Sequence, residues 1–274
     1  MLHQNVIQDQ AGELPRAKGV LRAGFALREG RTRLRRLHQA GSAKGMLPPA
    51  PGCELVLLNT SGGLTGGDRM EIQVAQDAAT RLTVTTQTAE RAYRSVTGRA
   101  RVQARFDVGA GGHLDLLPQE TILFDRAALA RQQEIALDAD ATCLWCETLI
   151  LGRAAMGETV RSLDLTDRRR ISRQGRPLFV ENLRLTDSVL ATDGPATLAG
   201  ARAFATLVLV APDAADRLDR ARAALGQDVT SAASAFDGKL VARLMAGDGW
   251  PLRQALMRLI RAIRPAPLPR VWQI

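Results

Sequence analysis

Residues 57–69 read LLNTSGGLTGGDR, and two glycine pairs in this stretch enclose a Leu-Thr dipeptide. An apolar run at 55–58 precedes the glycines, and an alternating run at 70–74 follows them. Glycine is favoured where the backbone takes a positive φ or approaches another segment closely. The stretch therefore predicts a tightly shaped turn between two strands, and its spacing alone is typical of a long hairpin connection.

The glycines do not match a phosphate-binding loop. No Gly-Lys-Ser or Gly-Lys-Thr tripeptide follows a glycine run, as a P-loop requires. A dinucleotide-binding fingerprint needs a helix after the glycines, so that the pyrophosphate meets the helix N-terminus. The segment that follows has a period of two instead of 3.6, so the sequence argues against nucleotide binding by either route.

A period of two dominates the rest of the chain. Residues 101–108, RVQARFDV, alternate polar and apolar side chains without a fault, and the glycines at 109–112 end the pattern. Many short runs of this kind, separated by Gly, Asp and Pro, predict a mostly β protein. The other runs are at 82–86, 114–116, 183–185 and, as a fully buried strand, 206–210.

Two helices are predicted near the C-terminus. The first begins near Pro212 and ends at Gly226. The second covers 251–264, where leucines and isoleucines form one stripe and arginines lie opposite, and Pro265 ends it. Such a stripe is typical of core packing.

A chain of 274 residues with 46% hydrophobic content fits one large domain or two small ones, and we expect a single domain spanning 1–274. Residues 1–18 are expected to be a loose tail, and the Gly/Pro-rich segment 41–52 a surface connector. No run of about 18 apolar residues predicts a membrane span. With no export-signal pattern and an odd number of cysteines, three, the expected location is the cytoplasm.

The net charge of +9 comes mainly from arginine, since the lysines are confined to positions 18, 44 and 239. We interpret this charge first as solvated surface and second as a means of docking on an acidic protein. The alternative is a basic, β-rich nucleic-acid-binding protein. Only 4% of residues are aromatic, however, and the arginines are scattered apart from 31–36 and 168–170, so no nucleic-acid partner is expected.

Cys143 and Cys146 form a C-x-x-C pair, the spacing found in zinc and redox sites. No second pair completes four zinc ligands, and the flanking sequence is typical of a strand. Alternation along a strand would send the two thiols to opposite faces. We interpret them as buried core residues, and metal analysis of the purified protein would test the zinc alternative.

Carboxylates concentrate in polar segments between the strands, at Asp68, Glu90, Glu120, Asp125 and Glu158. Without clustered His or Cys, carboxylate and amide oxygens suit transient passage of a metal better than tight capture. An equally simple interpretation is turn residues and ion pairs. A glycan-processing enzyme with paired carboxylates is a further alternative.

Six motifs, taken together and in order, resemble the UreD family of urease accessory proteins, also called UreH. The resemblance runs from about residue 55 to the C-terminus, and no single motif would suffice. The motifs are GGLTGGD, TTQTAERAYRS, LPQETILFD, LGRAAMGE, ENLRL and LPRVW.

The resemblance implies a fold and a function. Members of the family are not enzymes, and they adopt a β-helix-like arrangement of many short strands with two α-helices near the C-terminus. They bind the helical protein UreF, which recruits the GTPase UreG, and a dimer of heterodimers with UreF is expected. The assembly docks on the urease apoprotein and inserts nickel. The family holds no tightly bound cofactor, and nickel moves transiently through an internal polar passage.

The resemblance also implies site residues. We expect Asp68, Glu120, Asp125 and Glu158 to contact nickel in the passage, with Thr86 and Gln119 as neutral lining. The partner surface is expected on the C-terminal third of the chain, including the helix at 251–264, because a helical partner needs an apolar groove or ridge. The other positions that match the family motifs are Gly62, Gly63, Gly66, Gly67, Thr88, Tyr93, Arg94, Pro118, Gly152, Arg153 and Gly157.

Overall fold

The computed structural model describes residues 16–192 and 194–273, which form two β-sheets and three α-helices. The first sheet has seven strands in the order β14-β13-β11-β8-β5-β1-β2. They are β1 (Lys18–Arg28), β2 (Arg31–Gly41), β5 (Arg69–Gln76), β8 (Ala100–Val108), β11 (Ala127–Leu137), β13 (Leu163–Arg173) and β14 (Arg176–Thr186).

The second sheet has the main order β16-β17-β15-β12-β9-β6-β4-β3, and two three-residue strands, β7 and β10, pair beside β12. Its strands are β3 (Ala43–Met46), β4 (Cys53–Asn59), β6 (Arg81–Thr86), β7 (Glu90–Ala92), β9 (His113–Leu117), β10 (Thr121–Leu123), β12 (Thr142–Leu151), β15 (Ala203–Val210), β16 (Thr230–Phe236) and β17 (Lys239–Ala246).

The chain alternates between the sheets from β4 to β13, so that successive strands of each sheet run parallel. In the first sheet Ile72 of β5 is in register with Leu21 of β1 on one side and Ala104 of β8 on the other. In the second sheet β4, β6, β9 and β12 are parallel in the same way. The expectation of a β-helix-like arrangement of many short strands is confirmed.

Three predictions about connections need correction. The glycine-rich stretch is not a hairpin, because it carries the chain from β4 in the second sheet to β5 in the first. Within the expected connector 41–52, residues 43–46 form β3, which pairs with β4. The expected tail at 1–18 includes Lys18, which begins β1, and residues 1–15 of it lie outside the described residues.

The two predicted helices are α2 (Leu218–Leu225) and α3 (Gly249–Ile263), and a short α1 (Asp187–Ala191) was not predicted. The Asp248 carboxylate caps α3 by accepting a hydrogen bond from the Trp250 N–H, and Gly226 ends α2. Helices α2 and α3 cover the outer face of the second sheet. No helix in the described part of the chain combines the length and the apolar character that crossing a membrane requires.

The core occupies both faces of the second sheet, as β12 shows. Cys143 and Trp145 pack between the two sheets, whereas Leu144 and Cys146 pack under the helices. The two thiols therefore lie on opposite faces of the strand, as alternation predicted. Both are fully buried, and burial raises the pKa of Cys143 to about 12.

Candidate functional site

A cavity of about 160 Å³ lies between the two sheets. Apolar side chains such as Met70 and Phe106 form one part of its wall, and Arg131 and Glu147 form a buried polar part. At the surface its lining includes the exposed residues 87–88. The cavity thus connects an exposed polar turn with a carboxylate that is only 1% exposed.

The opening lies where the second sheet is interrupted. Residues 87–89 separate β6 from β7, and residues 118–120 separate β9 from β10. These segments do not continue the β-ladder of the second sheet. Their polar side chains place neutral hydroxyl and amide groups at the wall of the cavity. Gly62, Thr86, Thr88 and Gln119 all line it, as does Glu90.

The glycine turn shapes the same end of the molecule. Gly62, Gly63 and Gly67 have positive φ angles of 78°, 153° and 92°. A Cβ atom at Gly63 would collide with the Tyr93 ring, and one at Gly66 would collide with Ser95 and the Thr97 carbonyl. The turn therefore needs glycine both for backbone conformation and for close packing.

Asp68 holds this turn together. Its two carboxylate oxygens accept hydrogen bonds from the Ala17 N–H at 2.7 Å and the Thr65 N–H at 2.8 Å, and the residue is 4% exposed. Asp68 does not line the cavity between the sheets. Its contacts are those of a carboxylate that fixes a turn.

Gln119 and Glu120 connect the interrupted sheet with the C-terminus. Arg253 of α3 donates hydrogen bonds to the side chains of both, and Gln119 donates to the Val271 carbonyl. Trp272 of the LPRVW motif is buried and donates to the Leu117 carbonyl. The motif therefore packs against the break in the sheet, and Glu120 itself does not line the cavity.

Asp125 and Glu158 lie close together in a cluster of their own. Glu158 accepts hydrogen bonds from the Asp125 N–H and from the Arg153 side chain, while Asp125 accepts from the backbone of Arg161 and Ser162. The two backbone bonds lower the pKa of Asp125. Burial alone would raise the pKa of Glu158, but the bond from Arg153 and the backbone bonds outweigh it, and the pKa is lowered.

Three further motif residues, Tyr93, Arg94 and Arg153, contact the glycine turn or the ring of Phe124. The Tyr93 hydroxyl donates to the Gly62 carbonyl, and its ring packs edge-on against Phe124 with centroids 4.9 Å apart. The Arg153 guanidinium lies over the Phe124 ring, 4.4 Å from the centroid. The Arg94 carbonyl accepts from the Thr65 hydroxyl. Through these contacts, residues of separate sequence motifs lie next to one another in the folded chain.

The model of the UreD urease accessory protein family matches residues 17–273. The chain belongs to the UreD family of urease accessory proteins. A relative from Cereibacter sphaeroides (strain ATCC 17025 / ATH 2.4.3), named urease accessory protein UreD, is 52% identical over 266 residues, which cover 95% of this chain and 96% of the relative. A relative of the same name from Paracoccus denitrificans is 49% identical over 92% of each chain.

Sequence reasoning did not predict the ionic network that borders the cavity of this UreD family member. Arg131 bridges Glu147 and Asp167, with both nitrogen–oxygen distances 2.5 Å, and Arg169 bridges Asp167 and Glu181. Burial alone would raise the pKa of Asp167, but the two guanidinium groups outweigh it and lower the pKa. The network thus keeps fixed charges inside the protein.

The interpretation of arginine as solvated surface is wrong at Arg131 and Arg169, which are 7% and 4% exposed. The alternation of side chains along β11 contains a signal that Arg131 is buried. Arg131 shares the face of Leu129 and Ile135 in β11, and a cation at an inward position of a strand requires an internal partner. That partner comes from other strands, so sequence alone could not name it.

The expected partner surface on the helix at 251–264 also needs correction. The apolar stripe of α3 packs against β15 and β17 in the chain's own core, and Leu252, Leu256 and Ile260 are at most 1% exposed. That stripe is not available to a partner.

Among the described residues, no group of three or more His, Cys, Asp or Glu side chains is placed to hold a metal ion.

Proposed function

We propose that this chain is a non-catalytic scaffold of urease maturation that works in the cytoplasm. It binds UreF and, through UreF, the GTPase UreG, in a dimer of heterodimers with UreF. The assembly docks on the urease apoprotein and assists nickel insertion into its active site. Membership of the UreD family supports the role in urease maturation.

The observation that best supports a nickel passage is the cavity between the two sheets. Nickel is the cargo here, and it needs a route that offers polar atoms without trapping the ion. The cavity supplies hydroxyl, amide and carboxylate oxygens from Thr86, Gln119, Glu90 and Glu147. Oxygen ligands of this kind bind a borderline metal weakly compared with clustered His or Cys, which favours passage over storage.

Glu90 is the first carboxylate on this route. It lies behind the exposed turn at 87–88, and its side chain accepts hydrogen bonds from the Asn59 amide and the Arg91 N–H. Burial raises the pKa of Glu90. Because a carboxylate binds a cation only when it is ionised, passage at Glu90 weakens as the pH falls toward this raised pKa.

Asp68, Glu120, Asp125 and Glu158 form the second candidate set for transient nickel contact. Their matches to the family motifs support this role, and the adjacency of Asp125 and Glu158 supports it for that pair. The hydrogen bonds of all four to the protein are also what turn residues and ion pairs require. Substitution must therefore separate nickel contact from a structural role.

Co-expression with a urease operon tests the proposed function. The gene for this chain is deleted, then restored as wild type or as Glu90→Gln, and urease protein, bound nickel and co-purified UreF are measured together. We expect nickel-free urease in the deletion, rescue by the wild type, and intermediate nickel loading with unchanged UreF recovery in Glu90→Gln. Full nickel loading without the chain would refute the proposal.

A further inference from the structure

A second concave surface lies at the opposite end of the strands from the cavity opening. It is a groove of about 880 Å³ between the β1–β2 hairpin and the segment 47–54. Cys53, the first residue of β4, lines this groove, whereas Asn59, the last residue of β4, lines the cavity. Seven extended residues place the two sites about 20 Å apart.

The groove carries an excess of positive charge. Among the described residues, Arg31, Arg33 and Arg81 line it, against the single carboxylate of Glu54. In the described part of the chain, no salt bridge joins any of these three arginines to a carboxylate. Three exposed cations without a salt-bridge partner outnumber the one carboxylate of Glu54, and this excess attracts an acidic ligand.

The groove also exposes large apolar side chains beside these charges. Leu27, Leu34 and Leu47 line it and are 45%, 36% and 38% exposed, and three prolines from the segment 48–51 complete the wall. Exposed apolar side chains beside unpaired cations are typical of a protein interaction site.

Two observations favour a peptide over a nucleic acid. No aromatic side chain is among the residues that line the groove, and single-stranded nucleic acid depends on aromatic stacking. Strand β2 is also the last strand of its sheet, so within the described residues its outer backbone groups have no ladder partner. An extended peptide can use such an edge, whereas a nucleic acid cannot.

We propose that this groove binds an extended, acidic segment of a partner protein, in which carboxylates meet Arg31, Arg33 and Arg81 and an aliphatic side chain contacts the leucines. This interface goes beyond nickel passage and does not depend on it. The groove thereby provides an attachment point for a partner at the end of the strands opposite the cavity opening.

Cys53 offers a direct measurement of binding. It is half-buried in the groove, whereas Cys143 and Cys146 are 0% exposed, so a maleimide should alkylate Cys53 alone in the folded chain. The probe is a peptide of about twelve residues with alternating glutamates and two leucines. We expect a saturating amount of peptide to slow Cys53 alkylation by about tenfold, and high salt to abolish the effect.

A charge-matched pair of variants makes the test specific. Arg31→Glu with Arg33→Glu should abolish protection by the peptide. Arg168→Glu with Arg170→Glu changes the net charge equally on exposed positions of β13 and should leave protection intact. Thermal melting controls for folding, and urease activation in the operon assay is scored separately, so failure of either proposal is visible on its own.

Several outcomes would overturn the proposal. Equal protection in both variant pairs would show that Arg31 and Arg33 do not hold the peptide. Stronger protection by single-stranded DNA of equal charge would assign the groove to nucleic acid. Protection that grows with protein concentration would assign it to a second copy of the chain. Faster alkylation after removal of residues 1–15 would assign it to the chain's own N-terminal segment.

Discussion

The two faces of the second sheet differ in what they bury. Under the helices, α3 and β15 bring together leucine, isoleucine and alanine side chains. Between the two sheets lie a cavity and a chain of buried ion pairs, which β11, β12 and β13 supply. The face under the helices therefore stabilises the fold through close packing. The face between the sheets is packed less closely, because it borders a cavity and buried charges.

Breaking the ionic network is the largest test of this difference. Asp167→Ala leaves Arg131 and Arg169 buried without their shared carboxylate, and we expect a loss of about 4 kcal/mol in the free energy of unfolding. Denaturant titration measures it. As a control in the same strand, Asp164→Ala removes a half-exposed partner of Arg99 and should cost about 1 kcal/mol or less.

The same network predicts an acid sensitivity. Because the pKa of Asp167 is lowered in the folded state, its contribution to stability is complete above its unfolded pKa of about 4. That contribution is lost as the pH falls through the lowered folded pKa. Wild-type stability measured against pH should therefore decline below about pH 4 more steeply than that of Asp167→Ala. Parallel curves would contradict the assignment.

Truncating one leucine on each face comes next in size. Leu256 and Leu129 are each 1% exposed, but only Leu129 borders the cavity. Leu256→Ala should cost about 3 kcal/mol, and Leu129→Ala about 2 kcal/mol, because part of the surroundings of Leu129 is already open. Equal losses, measured by denaturant titration, would mean that the cavity does not loosen packing between the sheets.

Asp68→Ala tests the glycine turn that leads into the inter-sheet face. It leaves two backbone N–H groups without acceptors, and we expect a loss of about 2 kcal/mol. A turn role alone predicts normal nickel loading at temperatures where the variant stays folded. Reduced loading by a folded Asp68→Ala chain with normal UreF recovery would instead support nickel contact at Asp68.

Glu90→Gln should have the smallest effect on stability, less than about 1 kcal/mol, because glutamine keeps the shape and most of the hydrogen bonds. Its effect on nickel loading should still be measurable, since the amide lacks the charge that attracts the ion. Thermal melting and the nickel content of urease give the two values. Unchanged loading would exclude Glu90 from the route.

Local signals in the sequence predicted most elements correctly. The alternation at 101–108 and the apolar run at 206–210 form β8 and β15, and the proline-bounded stripe forms α3. The glycine stretch was assigned to a turn correctly and to a hairpin wrongly. A turn is a local property of glycine, whereas the sheet that the next strand joins depends on distant residues.

The candidate site was less predictable. Thr86 and Gln119 line the cavity, and their role in a nickel passage stays a prediction, whereas the carboxylates that line the cavity among the described residues are Glu90 and Glu147. Glu147 lies in β12 within a run that alternation assigns to the core. Its partner Arg131 is 16 residues away, and only the stacking of β11 against β12 shows that the two charges meet.

The sequence by itself determined the mostly β class, the two C-terminal helices, the glycine turn and membership of the UreD family, because each depends on local pattern or on the order of motifs. The tertiary structure alone decided which arginines are internal, where the cavity opens, that the stripe of α3 is covered, and that a cationic groove lies at the other end. Those features arise from contacts between strands far apart in the chain, whose register no local pattern specifies.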